Sequence, residues 1–252
     1  MRLYIPLTLL AAFGLVSSIV GCASNYNNSD GVRFYGQAKY GDAIQSFRTA
    51  SNVDPDDADI WYNLGATYHK LGTIARLSNQ PETMMQQFKL AEDNYRIAIA
   101  KNPEHTAAYR SLAVMWCESG HPKEAFELLS QWANRSPANA EAKVELARLY
   151  QEFNKIEDAA VLLQSALTVE PTNARALRAS GFLNEASGRS DLAMEMYRRS
   201  LAADANQQDL SEHLTAIQNR IQTTVTAPVI TPYNNSYGTT QLASPVVAPY
   251  NR

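Results

Sequence analysis

Prolines stand at Pro103, Pro137 and Pro171, 34 residues apart each time, and Pro55 marks an earlier copy. A fixed period of this length means one supersecondary unit repeated, and such units stack because none can bury its own apolar face alone. With the prolines aligned, other positions fall into columns. Ala43, Ala91, Ala125, Ala159 and Ala193 form one. Four residues later stand Phe47, Tyr95, Leu129, Leu163 and Tyr197, and three further on Ala50, Ala98, Trp132, Ala166 and Ser200. Upstream lie the columns Leu64/Leu112/Leu146, Gly65/Ala113/Ala147/Gly181 and Tyr68/Trp116/Tyr150. Spacings of three and four put these residues on one helical face. Small residues let two helices approach closely, and proline follows the second helix because it cannot continue it.

The columns resemble those of the tetratricopeptide repeat family. The second unit carries the pattern most fully, in Trp61, Leu64, Gly65, Tyr68, Gly72, Ala91, Tyr95, Ala98 and Pro103. The resemblance covers roughly residues 31–222. It implies an all-α fold, a right-handed α-solenoid of stacked antiparallel helix pairs. One partial and four full units are expected: 31–57, with its helix A cut short at Gly31, then 58–105, 106–139, 140–173 and 174–207. The fifth departs from the pattern, with Asn184 for the aromatic and Ala205 for the proline. Leu210, Leu214, Ile217 and Ile221 then make one apolar stripe in 208–222, which predicts a C-terminal capping helix.

The second unit has 48 residues, a surplus of 14 that falls between Gly72 and Phe88. Ser78 and Asn79 suit a helix cap, Pro81 a first turn and Glu82 the positive end of a helix dipole. The spacing predicts two helices lengthened by about two turns each, forming a long hairpin near 73–86. Two readings of it stand: a hairpin packed on itself, or an exposed, adaptable contact patch around Ile74, Leu77, Met84 and Met85.

Residues 3–21 carry no charge and follow Arg2. The run is long enough to span a bilayer, but it ends in small residues as a secretory signal does. Ile19-Val20-Gly21-Cys22 resembles the bacterial lipobox, which implies cleavage before Cys22 and a palmitate-type lipid on its thiol. An ordinary signal peptide or an uncleaved anchor helix are the alternatives. Residues 1–21 are thus read as a lipoprotein signal peptide and 22–30 as lipidated cysteine and tether. Ala23, in place of an aspartate, favours the outer membrane over the inner one. Residues 223–252 hold four prolines and one charge, Arg252, and are expected to be extended or disordered. Within them residues 227–234 (APVITPYN) match 244–251 (SPVVAPYN). This is either a duplicated docking motif or low-complexity drift.

Of the 252 residues 45% are hydrophobic and 19% charged, which excludes a wholly disordered chain and a polytopic membrane protein. A net charge of −3 gives no electrostatic footprint for nucleic acid. There is no phosphate loop, nucleophile elbow, dinucleotide fingerprint or His-x-x-x-His pair. No catalytic residue, metal or cofactor is therefore expected, and Asp54, Asp56 and Asp57 are read as turn residues. His105 and His121 are read as solvated, and Cys117 as a small packing residue rather than a nucleophile.

What remains is a binding surface. The resemblance implies that helix A residues line a concave groove for an extended peptide. The inward positions are Tyr62, Ala66 and His69, then Arg110, Val114 and Cys117, then Val144, Arg148 and Gln151, and last Arg178, Phe182 and Glu185. Arg110, Arg148 and Arg178 form either a basic strip that holds carboxylates or a solvated face. The expected function is a non-catalytic protein-interaction adaptor in the bacterial cell envelope, in pilus or secretion-system assembly. The alternative is a scaffold for an envelope enzyme acting on peptidoglycan.

Overall fold

The computed structural model describes residues 26–226. The signal-like run, Cys22 and the two tail motifs lie outside the described residues. Every regular element described is a helix. The first, α1, spans residues 26–36. It is followed by α2 (Tyr40–Val53), α3 (Ala58–Leu77), α4 (Pro81–Lys101), α5 (Thr106–Glu118), α6 (Pro122–Arg135), α7 (Ala140–Glu152), α8 (Ile156–Val169), α9 (Ala174–Ala186), α10 (Ser190–Ala203) and α11 (Gln208–Thr226). Odd-numbered helices to α9 are the A helices and even-numbered ones the B helices. Among the described contacts, α3, α5, α7 and α9 touch one another in turn, whereas α4, α6, α8 and α10 meet no other B helix. The A helices therefore line one side of the stack, and the B helices fan out on the other.

Local chemistry explains the ends. Asp57, His105, Asn139 and Asn173 occupy the same repeat position, and each side chain accepts a backbone N–H of its A helix. His105 is thus not solvated. It is 8% exposed, and its Nδ1 accepts from Ala108, which leaves the ring proton on Nε2, 3.0 Å from Asp59. A histidine stands where the other caps are Asp or Asn. Each A–B turn contains one residue in the left-handed region: Ala38, Asn79, Gly120, Asn154 or Gly188.

The core follows the columns. Ala43, Ala91, Ala125, Ala159 and Ala193 are fully buried, and so, to within 2%, are Phe47, Tyr95, Leu129, Leu163 and Tyr197. Trp132 stands where other units have Ala or Ser, and its ring stacks on Tyr109 at 4.2 Å. Its Nε1 donates to Glu104 over 3.1 Å.

Three expectations change. Helix A of the first unit is not cut short at Gly31, and the tether does not reach residue 30. Helix α1 begins at residue 26, because Gly31 packs on Phe47 as Gly65 does on Tyr95. At the other end α11 continues to Thr226, four residues into the segment expected to be irregular. No proline interrupts it before Pro228. Leu210, Leu214 and Ile217 bury its stripe against the last unit.

The surplus of the second unit is shared equally. Helix α3 has 20 residues against 13 in α5, and α4 has 21 against 14 in α6. Both earlier readings of the hairpin contribute. Gly72 packs on Phe88 and Ala75 is buried, so the hairpin closes on itself. Ile74, Leu77 and Met85 nonetheless face solvent, with Leu77 80% exposed.

Candidate functional site

The A helices carry the concave face, and its residues divide into three sets. In the second unit Tyr62, Ala66 and His69 are half-buried. The Tyr62 ring lies 6.0 Å from Tyr95 and 5.2 Å from His105. His69 Nδ1 is 3.3 Å from the Tyr95 hydroxyl, and Nε2 is 3.6 Å from Glu118. Burial pushes the His69 pKa down, against the pull of Glu118. This set is engaged with its own helix pair and with the two ends of α5.

The second set centres on a carboxylate that sequence reasoning passed over. Glu145 on α7 is 3% exposed. Arg110 on α5 donates to it from Nε over 2.7 Å. Arg175 on α9 reaches both Glu145 and Glu141, one turn earlier on α7. Arg148 makes only a long contact, 3.7 Å from Glu145, and its side chain is 48% exposed. Burial resists ionisation of Glu145. The hydrogen bond from Arg110 and the charge of Arg175 outweigh it and hold the carboxyl below the usual range. Beside this cluster Arg148, exposed Val114 and half-buried Cys117 line a cavity of about 50 Å³. Burial pushes the Cys117 thiol up, away from the reactive thiolate. Val144 is fully buried and lines no groove. Gln151 is half-buried, its amide 3.4 Å from the Ala179 carbonyl.

The third set meets the capping helix. Arg178 pairs with Asp209 of α11, and its guanidinium lies 5.6 Å from the ring of Phe182, itself 41% exposed. Glu185 accepts from the Tyr197 hydroxyl at 2.9 Å and pairs with His213 at 2.7 Å. The three arginines therefore do not make one free basic strip. Arg110 and Arg178 are engaged by neighbouring carboxylates, and Arg148 is the least neutralised. The signal that could have revealed this was Glu141 and Glu145, two acidic residues one turn apart on α7.

Three repeat-family profiles match the chain. One, described as TPR repeat, covers residues 31–72, and two described as tetratricopeptide repeat cover 85–140 and 117–179. Together they span more than half of the chain. It belongs to the tetratricopeptide repeat (TPR) family. BBSome complex member BBS4 of Bos taurus is 27% identical over 160 residues, 64% of this chain. The chain spans only 28% of that relative's length. A thermophilic TPR protein of Thermus thermophilus superposes with a TM-score of 0.56 at 21% identity, over 78% of this chain and 100% of that one. Pseudomonas aeruginosa pilF gives 0.51 at 16% identity, over 82% and 89%. At these identities the structural likeness is one of fold.

A non-catalytic role as a scaffold for protein contacts is consistent with the TPR family. Among the described residues no group of three or more His, Cys, Asp or Glu is placed to hold a metal ion. No helix among them is long and apolar enough to cross a membrane. The TPR stack does have a second opening, on the opposite side from the A helices. A cleft of about 870 Å³ lies between α4 and α6, over the end of α5. Met84 and Met85, from the two additional turns of α4, are part of its lining.

Proposed function

We propose that this chain is a non-catalytic adaptor of the bacterial cell envelope, held at a membrane by lipid on Cys22. Its concave face takes an extended segment of a partner protein. One observation carries the groove: Arg148 stays half-exposed beside exposed Val114, with only a 3.7 Å contact to Glu145 Oε2, while Arg110 and Arg175 both bind Glu145 Oε1. Arg148 with Arg110, Arg175, Glu141 and Glu145 leaves one positive charge over. A guanidinium in that position binds a carboxylate bidentately next to an apolar contact. Tyr62, Ala66 and His69 extend the same face at one end, Arg178 and Phe182 at the other.

The envelope setting rests on the uncharged run 3–21 ending at Gly21-Cys22. More than one acyl chain gives stable anchoring. Helix α1 starts at residue 26, so the repeats stand close to the anchor. The layout of anchor followed by TPR units suits an assembly factor for pili or secretion systems, with the outer membrane favoured.

Two measurements test this reading. Palmitate-analogue labelling of cells should mark the wild type and not Cys22→Ser; equal labelling overturns the anchor. Crosslinking in intact cells should capture a partner with the wild type and lose it with Arg148→Glu. A lost charge-assisted contact costs about 1.5–3 kcal/mol, roughly ten- to a hundredfold in affinity. Capture unaffected by Arg148→Glu overturns the groove.

A further inference from the structure

We propose that the cleft between α4 and α6 is a second docking site and that it takes a cationic amphipathic helix of a partner protein. Its α4 wall belongs to a helix 21 residues long beside the 14-residue α6, and the added turns of α4 bring Met84 and Met85 to the opening. A hollow of about 300 Å³ lies between α2 and α4, against 870 Å³ here; α4 borders both, but Met84 and Met85 of its added turns line only the larger one. From Met84 to Arg96 the α4 wall runs about 18 Å, at 1.5 Å per residue, the length of three helical turns. Its floor and inner wall are apolar: Met84, Phe88, Met115, Trp116 and Leu128. Met85 stands at its edge, 66% exposed. Flexible thioethers beside two aromatic rings suit apolar anchors of varied shape.

Charge decides what kind of helix fits. The cations of the α4 wall are already engaged on their own helix: Lys89 pairs with Asp93 at 2.8 Å and Arg96 with Glu92 at 2.9 Å. The Arg96 guanidinium also lies 5.3 Å from the Trp116 ring. The α6 wall presents Glu124 and Glu127, one turn apart and both exposed. Glu127 accepts only a side-chain amide, from Gln131 at 3.0 Å. Among the described residues neither carboxylate has an ion-pair partner. The rim is thus acidic on one side with nothing opposite to neutralise it. A second copy of this chain brings no free cation on α4 to meet it. A helix arrives with its backbone satisfied, and lysines spaced three or four apart meet the two glutamates while its other face enters the floor.

The test uses the full-length chain in phosphatidylcholine nanodiscs, with empty nanodiscs as the blank. The probes are a fluorescein-labelled 14-residue peptide, LKKLLKLLKKLLKL, and its counterpart with every lysine replaced by glutamate. Anisotropy should report binding of the lysine peptide only. The double variant Glu124→Gln/Glu127→Gln and, separately, the uncharged polar variant Met85→Asn should each weaken it tenfold or more. These side chains are exposed, so melting midpoints should stay within a few degrees. Glu157→Gln/Asp158→Asn, which removes the same charge from the exposed start of α8, should leave affinity unchanged. Equal loss in both double variants would mean bulk charge attraction and overturn the site. Equal binding of the two peptides would overturn the charge argument. Sedimentation showing a dimer that Met85→Asn dissolves would give the cleft to a second copy instead.

Discussion

Gly181 on α9 lies so close to Tyr197 on α10 that a Cβ there would stand 2.3 Å from Cε1 of the ring. The same holds for Gly31 with Phe47 and for Gly65 with Tyr95. In the two remaining units the position is Ala113 or Ala147, and the facing residue in the same core cluster is Leu129 or Leu163. The chain therefore pairs glycine with an aromatic and alanine with leucine, holding the volume between each helix pair nearly constant. Gly181→Ala should lower stability, since overpacking costs about 1–3 kcal/mol against a helix-propensity gain of about 1. Adding Tyr197→Leu should recover part of that loss, with a favourable coupling of about 1 kcal/mol or more in a double-mutant cycle followed by urea unfolding. Simple additivity would mean the two side chains do not share that space.

Ala38 is the one alanine among the left-handed turn residues, where other units use glycine or asparagine, and its φ is +58°. A Cβ in that region costs about 1–2 kcal/mol, which glycine avoids. Ala38→Gly should raise the thermal midpoint by a few degrees, read by circular dichroism. A lower midpoint would show that the unfolded-state entropy of glycine outweighs the relief.

Glu145 should make the stack acid-sensitive. Its pKa is depressed in the folded state by its arginine partners against the opposing effect of burial. The stabilisation is therefore present above the unfolded value of about 4.3 and is lost as pH falls through the lower folded value. Glu145→Gln leaves Arg110 and Arg175 without their buried counter-charge and should cost about 3 kcal/mol at pH 7. The gap between wild type and variant should narrow on acidification to pH 3, by urea unfolding at both pH values. A gap independent of pH would remove the ionic role of Glu145.

Ala159 is fully buried where α8 meets its neighbours. Ala159→Glu would force a carboxylate into that contact, at a cost of several kcal/mol against a typical total of about 5–15. The expected result is a large fall in the melting midpoint; an unchanged midpoint would mean that the alanine column is not a helix–helix contact.

The sequence by itself determined the repeat. Proline spacing, the alanine column and the aromatic column are local requirements of helix ends and close helix approach, and each unit restates them. The same alignment also held signals that were passed over. Gly31 lies 34 residues before Gly65, and His105 lies 34 before Asn139, in the column of helix caps. Only the tertiary structure decided which arginines are free. Arg110, Arg175 and Arg178 find carboxylates on other helices, and the partner of a long flexible side chain depends on how neighbouring helices are offset and tilted. The cleft is of the same kind. The surplus residues between Gly72 and Phe88 were visible, but the opening forms only where the lengthened α4 and the short α6 face each other across the end of α5 in the stacked units.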